Sequence, residues 1–207
     1  MWHTRRVPWL TLLLVAAMFI LFGLTQYDDS TLRVMWYSRT HLLTGEAWRL
    51  VTGHLVHFSI EHLAGNLLAF AALAWLIELQ QGSRLLGMLL LFLAIPASVM
   101  MLLLAPELHY YGGISSINYG LLTWICLTHG AVKQNFVVAG WRLFPANLVV
   151  VGLIVHIGFQ YATARSLFSA ASADAAIVVA WQTHLACTIA ALMLAAAGKY
   201  LVRRPLA

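Results

Sequence analysis

Two short polar clusters interrupt the apolar stretches of this 207-residue chain, and they contain residue types used in nucleophilic catalysis. Ser115 opens one apolar stretch, directly after Gly113 and Ile114, and His184 lies within the last one. Nucleophilic or ionisable side chains are costly in a membrane and by default mark a functional site. A histidine beside a serine can activate it as a nucleophile. The two residues therefore predict a Ser–His dyad assembled between two helices. In the competing interpretation Ser115 is a helix N-cap and His184 an interhelical hydrogen-bond partner.

Three further side chains are placed to assist such a dyad. His62 and Asn66 lie four residues apart, so both project from one face of the second apolar stretch. Both donate hydrogen bonds without carrying a charge at neutral pH, which suits an oxyanion hole inside a membrane. Tyr119 lies one helical turn after Ser115, where its ring can stack on His184. The alternatives are an interhelical hydrogen-bond pair and a packing tyrosine.

Other histidines and acidic residues carry weaker signals. His54, His57 and His62 offer three zinc ligands, but spacings of three and five residues do not align them on one helical face. We therefore predict no metal and no cofactor, with a zinc site as the alternative and His57 as a structural hydrogen-bond partner. Glu78, which ends the second apolar stretch, is interpreted as structural. No carboxylate lies close to His184 along its stretch, so its ring must be held by other means.

The composition places these residues in a lipid bilayer. Hydrophobic residues make up 62% of the chain and charged residues only 9%, well below the fraction of roughly a quarter in soluble domains. The net charge of +5 comes from scattered Lys and Arg that mostly flank apolar runs, which indicates membrane orientation rather than nucleic-acid binding. Cys126 and Cys187 lie within apolar stretches and are expected to be buried free thiols.

Six apolar windows, each near the length that a helix needs to cross a bilayer, predict an all-α integral membrane bundle. The predicted spans are 8–25, 60–80, 84–104, 113–130, 144–161 and 174–198, in a single domain over residues 1–207. The first window is interpreted as a retained span rather than a signal peptide, because it is long and no small-residue cleavage site follows it. The connection 26–58 is expected to fold onto the outer membrane surface.

Basic residues predict the orientation of this bundle. Eight of the 12 Lys and Arg residues lie on the side of the two termini and four on the other, so the positive-inside rule predicts cytoplasmic termini. His184 would then lie about ten residues into the last span, at a depth of ~15 Å from the outer surface. Ser115 would lie in the same half of the bilayer.

Together these motifs resemble the rhomboid family of intramembrane serine proteases. The matching positions are Trp48, Arg49, His62, Asn66, Glu78, Gly82, Gly113, Ser115, Tyr119 and His184, in the order that the family shows. The resemblance covers roughly residues 10–198 and implies a six-helix rhomboid-like bundle. It implies that Ser115 attacks, that His184 is the base, and that His62 and Asn66 hold the oxyanion. It also implies a transmembrane protein substrate and, for this short form, a bacterial inner membrane.

Two positions depart from the family pattern. Ser116 stands where the family usually has Gly after the nucleophile, and Cys187 replaces the Gly of a His-x-x-Gly motif. A catalytically inactive rhomboid-like protein that binds or escorts membrane proteins is therefore the alternative. A transporter is the other rival, but no inverted repeat is visible. The run Gly45–His54 further resembles the rhombosortases, which are associated with proteins whose C-terminal tails carry a Gly-Gly motif, an apolar helix and basic residues. The oligomeric state is not predicted.

Overall fold

The computed structural model describes residues 7–133, 137–138, 141–142, 146–163 and 180–202, and most of them are helical. In chain order the elements are α1 (Trp9–Tyr27), α2 (Asp29–Met35), β1 (Tyr37–Ser38), α3 (Arg39–Leu43), α4 (Arg49–Thr52), α5 (Ile60–Gln81), α6 (Ser83–Leu104), β2 (Tyr110–Tyr111), α7 (Ser115–Lys133), β3 (Val137–Val138), β4 (Trp141–Arg142), α8 (Ala146–Thr163) and α9 (Trp181–Val202). The helices α1 and α5 to α9, each of 18 or more residues, lie where the six spans are predicted.

Apolar composition makes several of these long helices able to cross a bilayer. Within the described ranges α1, α5, α6 and the Trp181–Gly198 part of α9 are long and apolar enough to do so. Large apolar side chains of α1 point outward rather than into the bundle, among them Trp9, Leu13 and Phe19, as expected for a helix in lipid. The prediction of an all-α integral membrane protein is therefore confirmed, while crossing by α7 and α8 stays a prediction.

The last helix begins later than the hydropathy predicts. The predicted start at residue 174 lies outside the described residues, but Ala180 is described and is not helical, so that α9 begins at Trp181. His184 therefore lies in the first turn of α9, and the prediction that it lies about ten residues into a helix is wrong. The reason is that hydropathy reports how long an apolar run is and does not report where the helix starts within it.

The connection between α1 and α5 has a folded core of its own, built around Arg49. This residue is only 2% exposed, and its guanidinium pairs with the carboxylate of Glu46 at 2.6 Å. It also donates hydrogen bonds to the carbonyl oxygens of Arg33 (2.7 Å) and Trp36 (2.9 Å). Strand β1 then pairs antiparallel with β2, directly before α7. Arg49 thus holds the connection together, and the small sheet fastens it beside the start of α7.

Close helix packing brings the starts of α7 and α9 together. Helix α7 packs against α9, α8, α5 and α6, and α6 also packs against α9. At Gly120 on α7 an added Cβ would lie 2.6 Å from a methyl of Leu93 on α6 and 3.2 Å from the Cβ of Cys187 on α9. Small residues at such points let membrane helices approach closely. The three-helix contact therefore positions the first turns of α7 and α9 side by side.

Candidate active site

Ser115 is the first residue of α7, and a tight turn places it there. Gly113 has a φ of 125°, a backbone conformation that side chains disfavour. The N–H of Gly113 donates to the carbonyl oxygen of Gly53 (3.1 Å), and the hydroxyl of Tyr111 donates to the carbonyl oxygen of Gly113 (2.9 Å). The N–H groups in the first turn of a helix lack intrahelical acceptors and favour negative charge. The turn therefore presents Ser115 at a point where its own N–H can help to hold an oxyanion.

His184 lies directly beside this serine. The Oγ of Ser115 is 3.0 Å from the Nε2 of His184, although the two residues are 69 positions apart. The imidazole is buried, with an exposed fraction of 5%. A separation of 3.0 Å is within the reach that a general base needs to take the hydroxyl proton.

The imidazole of His184 stacks on Tyr119. The two ring centroids are 4.2 Å apart, and the planes differ by 3°. Tyr119 occupies the position one turn after Ser115 on α7, so the serine and the stacking ring lie on one face of the helix. Stacking at this distance restricts the plane of the imidazole.

His62 and Asn66 lie one turn apart on α5 and approach the turn before Ser115. An added Cβ on Gly113 would lie 2.9 Å from the Nε2 of His62 and 3.6 Å from the Nδ2 of Asn66. Across the described residues, the Nδ1 of His62 and the Nδ2 of Asn66 are buried and find no hydrogen-bond partner. Unpaired buried groups are rare because they are costly. These two side chains are therefore candidates to bind an oxygen that becomes charged during a reaction.

His54 and His57, in the connection between α4 and α5, have separate surroundings. The Nε2 of His54 lies 3.1 Å from the hydroxyl of Ser98 on α6, whereas His57 packs edge-on against His62, with centroids 5.0 Å apart. In the part of the chain that the structure describes, no three His, Cys, Asp or Glu side chains are grouped to hold a metal ion. Burial lowers the pKa of His54 to about 4 and, with a smaller contribution from His62, the pKa of His57 to about 3. Both rings are therefore neutral at physiological pH. His57 supports the ring of His62 by packing against it.

Gln160 on α8 also contacts the dyad, although no motif in the sequence singles it out. It is fully buried, and its Oε1 lies 2.7 Å from the Nδ1 of His184. Its Nε2 lies 3.1 Å from the hydroxyl of Tyr119, to which it donates, and 2.9 Å from the Nε2 of His156. One signal for it exists in the sequence. His156 and Gln160 form a polar i, i+4 pair in an otherwise apolar stretch, which is the pattern that marks His62 and Asn66.

Ser116 and Cys187 occupy the two positions at which the sequence departs from the family pattern. The Oγ of Ser116 is buried, 3.4 Å from both the hydroxyl of Tyr111 and the Nδ1 of His54. The thiol of Cys187 is also buried and donates to a backbone carbonyl of α6 at 3.4 Å. Cys126 and Cys187 are both buried free thiols, as predicted. The extra atoms at these two positions are thus accommodated in the packing between helices.

These side chains form a polar cluster that contains no Asp, Glu, Lys or Arg. A serine hydroxyl, an imidazole within hydrogen-bond reach of it, and donors near the serine backbone are the kinds of group that acyl transfer requires. Serine, tyrosine, glutamine and asparagine side chains are neutral at working pH, so the cluster avoids the cost of a permanent charge within a membrane.

Comparison with known proteins matches the same region. Residues 44–200 match the model of the Rhomboid domain family. Over 164 residues the chain is 26% identical to "Rhomboid protease GluP" of Bacillus subtilis (strain 168), an alignment that covers 76% of this chain and 31% of the relative. The chain thus spans about a third of the length of this curated relative.

Proposed function

Because the chain belongs to the rhomboid family, we propose that it is an intramembrane serine endopeptidase that cleaves membrane-anchored protein substrates at their transmembrane segments. One observation carries this proposal, the 3.0 Å contact between the Oγ of Ser115 and the Nε2 of His184. The two atoms come from the first turns of separate helices, so the pairing depends on the bundle as a whole. A nucleophile and a base in this geometry serve acyl transfer.

In the first step of the proposed reaction the substrate segment unwinds locally. An intact helix engages its carbonyl groups in i→i+4 hydrogen bonds, so the scissile bond must leave the helix before attack. The Nε2 of His184 takes the hydroxyl proton as the Oγ of Ser115 bonds to the scissile carbonyl carbon. The carbonyl π electrons move to the oxygen, which becomes an oxyanion.

The oxyanion is held by neutral donors. The N–H of Ser115, at the start of α7, and the side chains of His62 and Asn66 provide them. The proximity of His62 and Asn66 to Gly113 supports this assignment of the donors, as does the unpaired Nδ2 of Asn66. In a water-poor site, fixed donors of this kind stabilise developing charge strongly.

Collapse of the intermediate breaks the peptide bond and leaves an acyl-enzyme on Ser115. His184 gives the proton to the departing amine, and water then hydrolyses the ester with His184 again acting as the base. The second half of the reaction uses the same two residues, so loss of either one stops turnover.

A finer assignment is that the substrate carries a C-terminal Gly-Gly sorting tail, as for the rhombosortases. The resemblance of Gly45–His54 to that subfamily supports it. Adjacent glycines also weaken a helix by about 2 kcal/mol, which favours local unwinding. A model substrate with such a tail should be cut faster than its Leu-Leu counterpart, and equal rates would contradict the assignment.

Labelling with a fluorophosphonate probe tests the main proposal. We expect the purified protein to be labelled, and both Ser115→Ala and His184→Ala to lose about 10³-fold or more of the labelling rate. Ser116→Ala is the matched control, because the hydroxyl of this neighbouring serine faces Tyr111 and His54, and the variant should still be labelled.

The competing function, a catalytically inactive protein that binds or escorts membrane proteins, gives the opposite result. Wild-type protein that is folded, returned to lipid and still unlabelled would favour it. Labelling that persists in Ser115→Ala would place the nucleophile elsewhere and contradict the dyad.

A further inference from the structure

Gln160 has a different partner for each part of its amide group. A primary amide offers two N–H donors and one carbonyl oxygen that accepts. In this fully buried side chain the nitrogen faces the hydroxyl of Tyr119 at 3.1 Å and the Nε2 of His156 at 2.9 Å. The oxygen faces the Nδ1 of His184 at 2.7 Å. All the hydrogen-bonding groups of the amide are therefore engaged within the protein.

The partners of the Gln160 amide indicate which nitrogen of His184 carries the proton. The amide nitrogen faces the hydroxyl of Tyr119 and the Nε2 of His156, and the carbonyl oxygen faces the Nδ1 of His184. A carbonyl oxygen can only accept, and Nδ1 of His184 must therefore be the protonated nitrogen. The lone pair of the ring then lies on Nε2, which faces the Oγ of Ser115 at 3.0 Å. That tautomer is the one a general base needs.

Stacking on Tyr119 cannot select this orientation by itself. A rotation of 180° about the Cβ–Cγ bond of His184 leaves the ring in the same plane, still parallel to Tyr119. The rotation exchanges nitrogen with carbon, however, so that a C–H group would face Ser115. A partner that bonds to Nδ1 opposes the exchange independently of Ser115, because the carbon that would replace Nδ1 cannot make this hydrogen bond, and Gln160 occupies that position.

We propose that Gln160 is a positioning residue, which holds His184 in the Nδ1–H tautomer with Nε2 directed at Ser115; this inference rests on the serine protease function proposed above. Tyr119 holds the plane of the ring and Gln160 its rotation within that plane. His156 acts through Gln160. Its contact with the amide nitrogen keeps the oxygen of Gln160 turned toward His184.

An amide suits this position better than the carboxylate found in soluble serine hydrolases. A buried carboxylate would carry a full charge in the resting enzyme, which is costly at membrane depth unless it is paired. The carbonyl dipole of Gln160 offers a partial negative charge when the imidazolium forms and leaves the resting site neutral. The cluster can therefore orient its base without a permanent ion.

The kinetic test uses fluorophosphonate labelling, with the maximal rate of inactivation separated from probe affinity. Methionine is close to glutamine in length, but its thioether sulfur is only a weak acceptor for the Nδ1–H group. We expect Gln160→Met to lower the maximal rate about 10–100-fold with probe affinity unchanged, since the misoriented base affects chemistry and not binding. Gln160→Glu keeps an acceptor oxygen and should recover most of the loss. A maximal rate in Gln160→Met equal to wild type would overturn the proposal.

Gln81→Met is the matched control. Gln81 also lies in a long helix and forms an interhelical hydrogen bond, accepting from the Nε1 of Trp124 at 3.1 Å, but it does not touch the dyad. Its replacement removes an interhelical hydrogen bond, so it should lower the melting temperature but leave the labelling rate unchanged. Equal losses of labelling in the two variants would reduce Gln160 to a packing role and overturn the proposal.

A second readout needs no activity. In protein labelled with ¹⁵N-histidine, the His184 signals are those missing from His184→Ala, and their shifts distinguish protonated from unprotonated ring nitrogens. We expect protonated Nδ1 and bare Nε2 in wild type, and a mixture of tautomers in Gln160→Met. A proton on Nε2 in wild type would overturn the proposal even if the enzyme is active. Unlabelled wild-type protein with protonated Nδ1 would refute the protease function and leave the positioning role in place.

Discussion

The polar clusters at the two ends of α5 are both buried, but their hydrogen bonding differs. Near the C-terminus of α5, the Oε1 of Glu78 accepts from the N–H of Leu10 (2.9 Å) and the hydroxyl of Ser83 (2.6 Å). Its Oε2 accepts from the N–H and the hydroxyl of Thr11, at 2.7 and 2.6 Å. Toward the N-terminus, on the order of 18 Å away along the helix, the buried Nδ2 of Asn66 has no partner among the described residues.

This difference separates a structural cluster from a reactive one. Glu78 binds the N–H groups in the first turn of α1, which otherwise lack acceptors, and it thereby fastens α1 to α5. Its oxygens are fully used within the protein, which confirms the structural interpretation of this residue. The Nδ2 of Asn66, unpaired among the described residues, remains a free donor, as its proposed role toward the oxyanion requires. Between these two ends of α5, the buried groups at Glu78 are fully paired, whereas the buried Nδ2 of Asn66 near the candidate site is not paired in the part of the chain that the structure describes.

The largest effect on the reactive end is expected from Gly113→Ala. The new Cβ would lie 2.9 Å from the Nε2 of His62, at a backbone φ of 125° that alanine disfavours. A displacement of this kind moves the nucleophile and the oxyanion donors together, and we expect the labelling rate to fall about 100-fold or more. Gly23→Ala on α1 is the control, since no atom lies within 4 Å of its added Cβ. Similar rates in both variants would show that the turn does not position Ser115.

A smaller effect is expected from Asn66→Ala. Loss of one oxyanion donor should slow labelling by about 10–1,000-fold, while the melting temperature stays near that of wild type because no native hydrogen bond of the Nδ2 is lost. Asn118→Ala provides the comparison, since its Nδ2 already donates to the carbonyl oxygen of Asn66 at 3.0 Å. Asn118→Ala should have a clearly lower melting temperature and only a small change in labelling rate. A lower melting temperature with a normal labelling rate in Asn66→Ala would contradict the proposal that its unpaired Nδ2 serves the oxyanion.

The smallest effect on labelling is expected from Glu78→Gln. The amide has only one acceptor oxygen for the four donors that Glu78 binds, so unfolding should become easier by about 1–3 kcal/mol. For a chain of this size that corresponds to a melting temperature lower by roughly 2–12 °C. The labelling rate at 25 °C, well below melting, should change by less than about twofold because Glu78 lies on the order of 18 Å from Asn66 along the helix. A large loss of rate with unchanged melting would assign Glu78 to the reaction.

Local patterns in the sequence predicted the helices and most members of the site. Apolar runs of bilayer length predicted where the long helices lie, because the lipid requires an uninterrupted apolar surface and internally satisfied backbone. The i, i+4 spacing of His62 and Asn66 placed them on one face of α5, because residues about one turn apart share a helix face. Ser115 likewise opens an apolar stretch in the sequence, and α7 begins at this residue. Each of these features depends on residues a few positions apart.

The contacts between helices depended on the tertiary structure alone. The sequence did not predict the rotation that directs Gln160 at His184, or the later start of α9 that puts His184 in a first turn. Helices immersed in lipid are apolar on nearly every side, so no polar and apolar stripes reveal which face points inward. Packing between neighbouring helices decides which face points inward. An example is the close approach of α6 and α9 to α7 at Gly120. The sequence determined which groups are available for chemistry, and the packing of the bundle decided which of them touch.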